Sequence, residues 1–157
     1  MEYFELGVPE ALSGHVQCLW RLRDPRPPAD VQTIYPDGRC EVIVHLGVPM
    51  EDDRDGRWQG QPKVLFAAQQ RTAVRLRAAG PVDCIGIRLA PAASSCIGGR
   101  QLAELRDRIV ALWTVAPGLA DAMAPAAQAL AATGNPLALW GALAECMDRH
   151  RIDPALQ

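Results

Sequence analysis

Asp37, Glu41, His45 and Arg88 are the residues of this 157-residue chain whose types and placement invite chemistry. Asp37, Glu41 and Arg88 each sit in or beside an apolar run, where an unpaired charge is expensive. If the runs bearing Glu41 and Arg88 face one another, carboxylate and guanidinium can form a charge-assisted pair. Two readings of such a pair stay open. One is an internal clamp that fixes strand register; the other is a polar anchor in a ligand pocket. Were the pair fully buried, removing either partner would cost about 3–5 kcal/mol. His45 reads in the same two ways, as a hydrogen-bonded strand residue or as a pocket group.

Other chemistry is missing. The histidines are His15, His45 and His150, and the residue two after His45 is Gly47, so the paired strand histidines of a metal-dependent barrel enzyme are not there. Gly-x-Ser-x-Gly, the P-loop and the dinucleotide fingerprint are also missing, and Ser94-Ser95 reads as the start of a short helical turn. Glu51, Asp53, Asp55 and Gly56 fall at positions 1, 3, 5 and 6 of a calcium loop, but position 12 is Pro62. The cysteines are Cys18, Cys40, Cys84, Cys96 and Cys146, odd in number and without a CxxC pair. They point to small buried hydrophobes rather than a zinc or disulfide framework. No catalytic set, cofactor or metal is expected.

The elements that must position these groups divide the chain in two. Strands are predicted over 15–23, 31–35, 40–46, 63–69, 72–79 and 82–89. Within 40–46, Cys40, Val42, Val44 and Leu46 share one face and Glu41, Ile43 and His45 the other. The polar stretch 50–61 reads as a loop or a wide hairpin tip, and 72–89 as a hairpin across Gly80-Pro81. Short strands at this spacing predict a sandwich or barrel. Helices follow: Leu102, Leu105, Ile109, Leu112 and Trp113 fit one helical face, a second helix covers about 122–133 with Pro125 near its first turn or kinking it, and Asn135 caps a third. The apolar stripe of that third helix contains Leu137, Trp140, Leu143 and Met147.

Composition restricts the function classes. The chain is 49% hydrophobic and 22% charged, with a formal net charge of −2, an ordinary globular composition. Lys63 is the only lysine and the arginines are scattered among acids, so this chain is a poor candidate for gripping a phosphate backbone. No apolar run approaches a membrane span, and Met1-Glu2-Tyr3-Phe4-Glu5 lacks a signal peptide's basic start, so a cytoplasmic location without membrane partners is expected.

Three segments in order, Pro36-Asp37-Gly38-Arg39-Cys40-Glu41 through Gly47, then Gly86-Ile87-Arg88-Leu89-Ala90-Pro91, then Leu102-x-x-Leu105-x-Asp107-Arg108, resemble the N-terminal domain of AraC-type bacterial transcriptional regulators. The opening Pro9-x-x-Leu12-x-x-x-Val16-x-x-x-Trp20 fits the same pattern, and the resemblance runs from about residue 3 to 150. It implies an α+β fold: a cupin-like antiparallel β-barrel over 1–98, helices over 99–150, and the start of a linker over 151–157. It also implies a domain that senses a small-molecule effector or forms a homodimer, with DNA contacted only through a C-terminal helix-turn-helix domain that this chain lacks. Asp37, Glu41, His45 and Arg88 become pocket candidates, and Leu137, Trp140, Leu143 and Met147 dimer-interface candidates. The family commonly has Pro-Gly where this chain has Pro91-Ala92, which questions a positive φ at residue 92. The rival reading is a free-standing cupin-like binding protein or enzyme.

Overall fold

The computed structural model describes residues 1–151, with side chains to residue 149. The strands among them are β1 (Glu2–Leu6), β2 (Val16–Asp24), β3 (Gln32–Ile34), β4 (Cys40–His45), β5 (Glu51–Arg54), β6 (Arg57–Gly60), β7 (Val64–Ala67), β8 (Val74–Arg77), β9 (Val82–Leu89) and β10 (Ile109–Ala111). The helices are α1 (Pro91–Gly98), α2 (Pro117–Thr133) and α3 (Leu137–Arg151). The linker expected over 151–157 lies outside the described residues, apart from Arg151 at the end of α3.

The strands form two antiparallel sheets, ordered β1-β2-β9-β4-β7-β10 and β3-β8-β5-β6. Both sheets contribute to one cavity, lined by Ile43 and Leu65 from the larger and Val74 and Leu76 from the smaller. This is the α+β, antiparallel architecture expected from the sequence. The alternation read in residues 40–46 divides the larger sheet's two faces. Cys40, Val42 and Val44 join Ile85, Ile87, Leu89 and Phe66 in a core that includes Leu119, Met123, Leu139 and Leu143 of the helices. Glu41 and Ile43 point the other way and line the cavity. The main apolar core thus lies between sheet and helices, leaving the opposite face available for polar groups.

Three predicted elements differ. Residues 72–89 are not a hairpin: β8 pairs with β3 and β5, while β9 pairs with β2 and β4 in the other sheet. Gly80-Pro81 therefore carries the chain between sheets. The stretch 50–61 is a tight hairpin, β5 on β6, closed by Asp55 and Gly56 at φ 55° and 81°. Paired positive φ values match the right-handed twist of the flanking strands, and Gly56 N–H donates to Asp53 Oδ1 at 2.9 Å.

The helix predicted over 102–113 does not form. Asp107 stands at φ 65°, a left-handed conformation that ends helical propagation. Its carboxylate accepts from the backbone N–H and the Nε of Arg71, both at 2.6 Å. Beyond it, Ile109–Ala111 pairs with β7 as an edge strand. Leu105 and Leu112 are buried as the periodicity required, but Trp113 is 67% exposed.

α2 begins earlier than expected, with Pro117 in its first turn, and so Pro125 is interior. Lacking an N–H, Pro125 leaves the Asp121 carbonyl without its helical donor. Gly134 at φ 75° terminates α2, its N–H donating to the Leu130 carbonyl at 2.8 Å. Asn135 Oδ1 then accepts from Leu137 N–H at 3.0 Å and caps α3 as predicted. Ala92 needs no positive φ, because Pro91 opens α1 directly. Among the described residues, no helix is long and apolar enough to cross a membrane.

Candidate functional site

β4 and β9 are neighbours, and their register sets Glu41 directly opposite Arg88. Arg88 Nε donates to Glu41 Oε1 at 3.2 Å and lies 3.5 Å from Asp37 Oδ2. Trp20 Nε1 on β2 donates to the same Glu41 oxygen at 3.3 Å. Trp20 can reach it because it lies across Gly86, where a Cβ atom would meet the indole at 2.0 Å. Asp37 is held by its own turn, its Oδ1 accepting from Arg39 N–H at 2.9 Å.

Asp37, Glu41 and Arg88 line one end of the cavity between the sheets, whose volume is about 160 Å³. Ile34, Ile43, Leu65, Val74, Leu76 and Ile109 make its apolar walls, and Gln61, Gln70 and Arg39 add polar groups to the lining. Burial pushes the Glu41 carboxyl above its usual range, and Arg88 and the Trp20 hydrogen bond pull back against that rise. For Arg88, burial works against the charged form, but Glu41, Cys18 and Asp37 together outweigh this and raise the guanidinium's proton affinity. The arrangement holds a charge pair on a half-buried surface and offers both acceptor and donor atoms to a small molecule.

His45 is not on that lining. It is 2% exposed, and its Nε2 stands 2.9 Å from Gln61 Oε1. Gln61 Nε2 in turn donates to Asp52 Oδ2 at 3.4 Å, and Arg54 Nε donates to Asp52 Oδ1 at 2.7 Å. This order gives His45 the Nε2–H tautomer, since Gln61 presents its oxygen to the ring. Burial pushes the imidazole below its ordinary pKa of 6.5, with the Gln61 bond opposing. His45 thus reaches the cavity only through Gln61.

Trp20, Gln61 and Asp52 were not among the site residues read from sequence. Trp20 was detectable in principle: its register partner Gly86 lies two residues from Arg88 on β9, so they share a face. Gln61 and Asp52 were hidden in the stretch 50–61, whose strands are too polar to show apolar alternation.

The dimer-interface candidates separate differently. Trp140, Leu143 and Met147 are 6%, 0% and 3% exposed within the single chain, packed in the sheet–helix core. Leu137 alone of the four is exposed. The stripe expected to supply a dimer surface is used inside the monomer, because the larger sheet's apolar face needs covering. The thiols follow the small-hydrophobe reading where they are buried: burial, with Asp83 and Glu41 nearby, pushes Cys84 up to about 12. Among the described residues no group of three or more His, Cys, Asp or Glu is placed to hold a metal ion.

Residues 8–111 match a family described as a domain of unknown function, DUF6597. The chain belongs to this family. The matched region runs from just before the Pro9 motif to the end of β10, and so takes in both sheets apart from β1. A solved structure similar to the chain is the cupin_2 domain of an XRE-family transcriptional regulator from Enterobacter cloacae. It is 16% identical with a TM-score of 0.43, covering 57% of this chain and 96% of that one. The fold described above rests on the strand pairing, not on that distant likeness. No curated protein matches the chain.

Proposed function

We propose that this DUF6597 chain is a small-molecule-sensing domain of a transcriptional regulator of the AraC type, binding its effector without transforming it. The observation that carries the reading is the cavity between the two sheets, apolar along its walls and charged at the end held by Asp37, Glu41 and Arg88. Pockets of this kind, with few polar groups set in an apolar lining, are what small-ligand recognition requires. The motif order around Pro36–Gly47 and Gly86–Pro91 supports placing the domain in a regulator. DNA would be contacted by a separate helix-turn-helix domain, consistent with the scattered charge of this chain. The protein would act in the cytoplasm as a homodimer, through surfaces other than that of Trp140, Leu143 and Met147.

A ligand screen read by melting temperature tests the sensing role. Compounds that raise Tm in the native chain should lose the effect in Leu76→Trp, which fills the cavity. Equal shifts in both proteins, or none in the native chain, would overturn it. Reading the gene beyond the codon for Gln157 tests the regulator assignment: a basic segment with two helix-turn-helix motifs is expected, and an immediate stop codon would remove it.

A further inference from the structure

We infer that the cavity selects a small amine, its ammonium group seated against Glu41 and its compact apolar body between the two sheets. This rests on the ligand-binding reading above and names the chemical class that the site would take.

Glu41 has unused hydrogen-bonding capacity. Both bonds to Glu41, from Arg88 Nε and Trp20 Nε1, go to Oε1. Glu41 Oε2 makes no hydrogen bond within the described residues. No buried side-chain nitrogen or oxygen among those residues lacks a partner, so this oxygen is accessible, and Glu41 lines the cavity. A carboxylate oxygen in that position is an acceptor waiting for a donor.

Charge then chooses the donor. Asp37, Glu41 and Arg88 together carry one excess negative charge, and they stand within one ion-paired cluster. The remaining charged residue on the lining, Arg39, is exposed at the rim and forms no ion pair with either carboxylate. Water screens its charge there, as it does that of Asp37, whose side chain is 52% exposed, so the contrast between ligands rests on Glu41, which shares Arg88 with Asp37. A cationic ligand neutralises the cluster; a neutral alcohol leaves its charge unchanged; a carboxylate adds a further negative charge beside Glu41.

Size restricts the apolar part. A cavity of about 150 Å³ accommodates a benzene ring, and this one measures about 160 Å³. The walls that would touch such a body, Ile43, Leu65, Leu76 and Ile109 among them, are hydrocarbon.

Benzylamine, benzyl alcohol and benzoate share one ring and differ in the group presented to Glu41. Their affinities for the whole chain, measured by calorimetry, should fall in that order, with benzoate weakest. Glu41→Gln keeps an oxygen to accept from Arg88 and Trp20 but removes the charge. It should weaken benzylamine by about tenfold or more, the scale of one charge-assisted hydrogen bond, and change benzyl alcohol little. The ranking of the three probes on the unaltered protein needs no variant to fold. Benzoate binding as tightly as benzylamine, with Leu76→Trp abolishing both, would overturn the amine class and leave the sensing role standing. If none of the three binds, the amine inference falls; if the wider ligand screen also fails, the sensing role falls with it.

Discussion

Glu41 and Arg88 stand directly opposite each other on adjacent antiparallel strands, with Arg88 Nε donating to Glu41 Oε1 at 3.2 Å. Their side chains are 22% and 30% exposed, so the pair is half-buried rather than enclosed. The 3–5 kcal/mol expected for breaking a fully buried pair is therefore too large. Replacing either residue with Ala should cost about 1–3 kcal/mol, between the values for exposed and buried pairs. Replacing both should cost less than the sum of the singles. Urea unfolding of the four proteins measures the coupling directly, and strict additivity would remove the pair as an energetic unit.

His45 makes stability depend on pH in the opposite sense to Glu41. The folded imidazole has a pKa below 6.5, so on acidification the unfolded chain takes up its proton first. Stability is then lost as pH falls from about 6.5 towards the folded value, because protonation favours the unfolded state. For Glu41 the folded pKa lies above 4.5, so the folded state binds its proton first and stability falls as pH rises through that window. Subtracting the melting profile of His45→Gln from that of the native chain should leave a Tm difference that narrows as pH drops below about 6.5. A difference that is flat between pH 7 and 5 would show that His45 is not held neutral.

The side-chain alternation of residues 40–46 separates Cys40, Val42 and Val44, which turn to the helices, from Glu41 and Ile43, which line the cavity, whereas the Glu41–Arg88 pair was legible only on the condition that their two strands face each other. That information is local: a period of two on a strand buried on both faces. What was not legible depends on distant partners. Leu102, Leu105, Ile109 and Leu112 have helical spacing, yet Asp107 takes a left-handed φ because Arg71, far away in sequence, supplies two donors to its carboxylate. Residues 72–89 have the form of a hairpin, and nothing local says that β8 and β9 part to different sheets. The buried chain from His45 through Gln61 to Asp52 was hidden because β5 and β6 are made almost wholly of polar residues.

Trp140 and Met147 distinguish an interface from a core. Both are buried against the chain's own sheet and helices, with no second copy needed to cover them. Trp140→Ala should destabilise the monomer by about 3–5 kcal/mol, the usual cost of deleting a large buried aromatic. The exposed Leu137→Ala should change stability by no more than about 0.5 kcal/mol. Thermal melts that leave Trp140→Ala at the native Tm while sizing columns show dissociation would return Trp140 to an intersubunit role.

Gly86 offers the sharpest test of how the site is held. It sits beneath Trp20, and a Cβ atom there would come within 2.0 Å of the indole carbons. That side chain cannot give way slightly, since Trp20 is also fixed by its bond to Glu41 at 3.3 Å. Gly86→Ala should therefore displace the ring, break the Trp20–Glu41 bond and destabilise the fold by about 1–3 kcal/mol, as overpacking does elsewhere. Tryptophan fluorescence should show Trp20 entering a changed environment, after subtraction of the signal from Trp58, Trp113 and Trp140 with a Trp20→Phe control. The double variant Gly86→Ala with Trp20→Ala should recover part of the lost stability relative to the sum of the two singles, because the Cβ then meets no ring. An unchanged fluorescence spectrum and an unchanged Tm in Gly86→Ala would mean that Trp20 does not lie across this glycine, and that Glu41 holds its place by Arg88 alone.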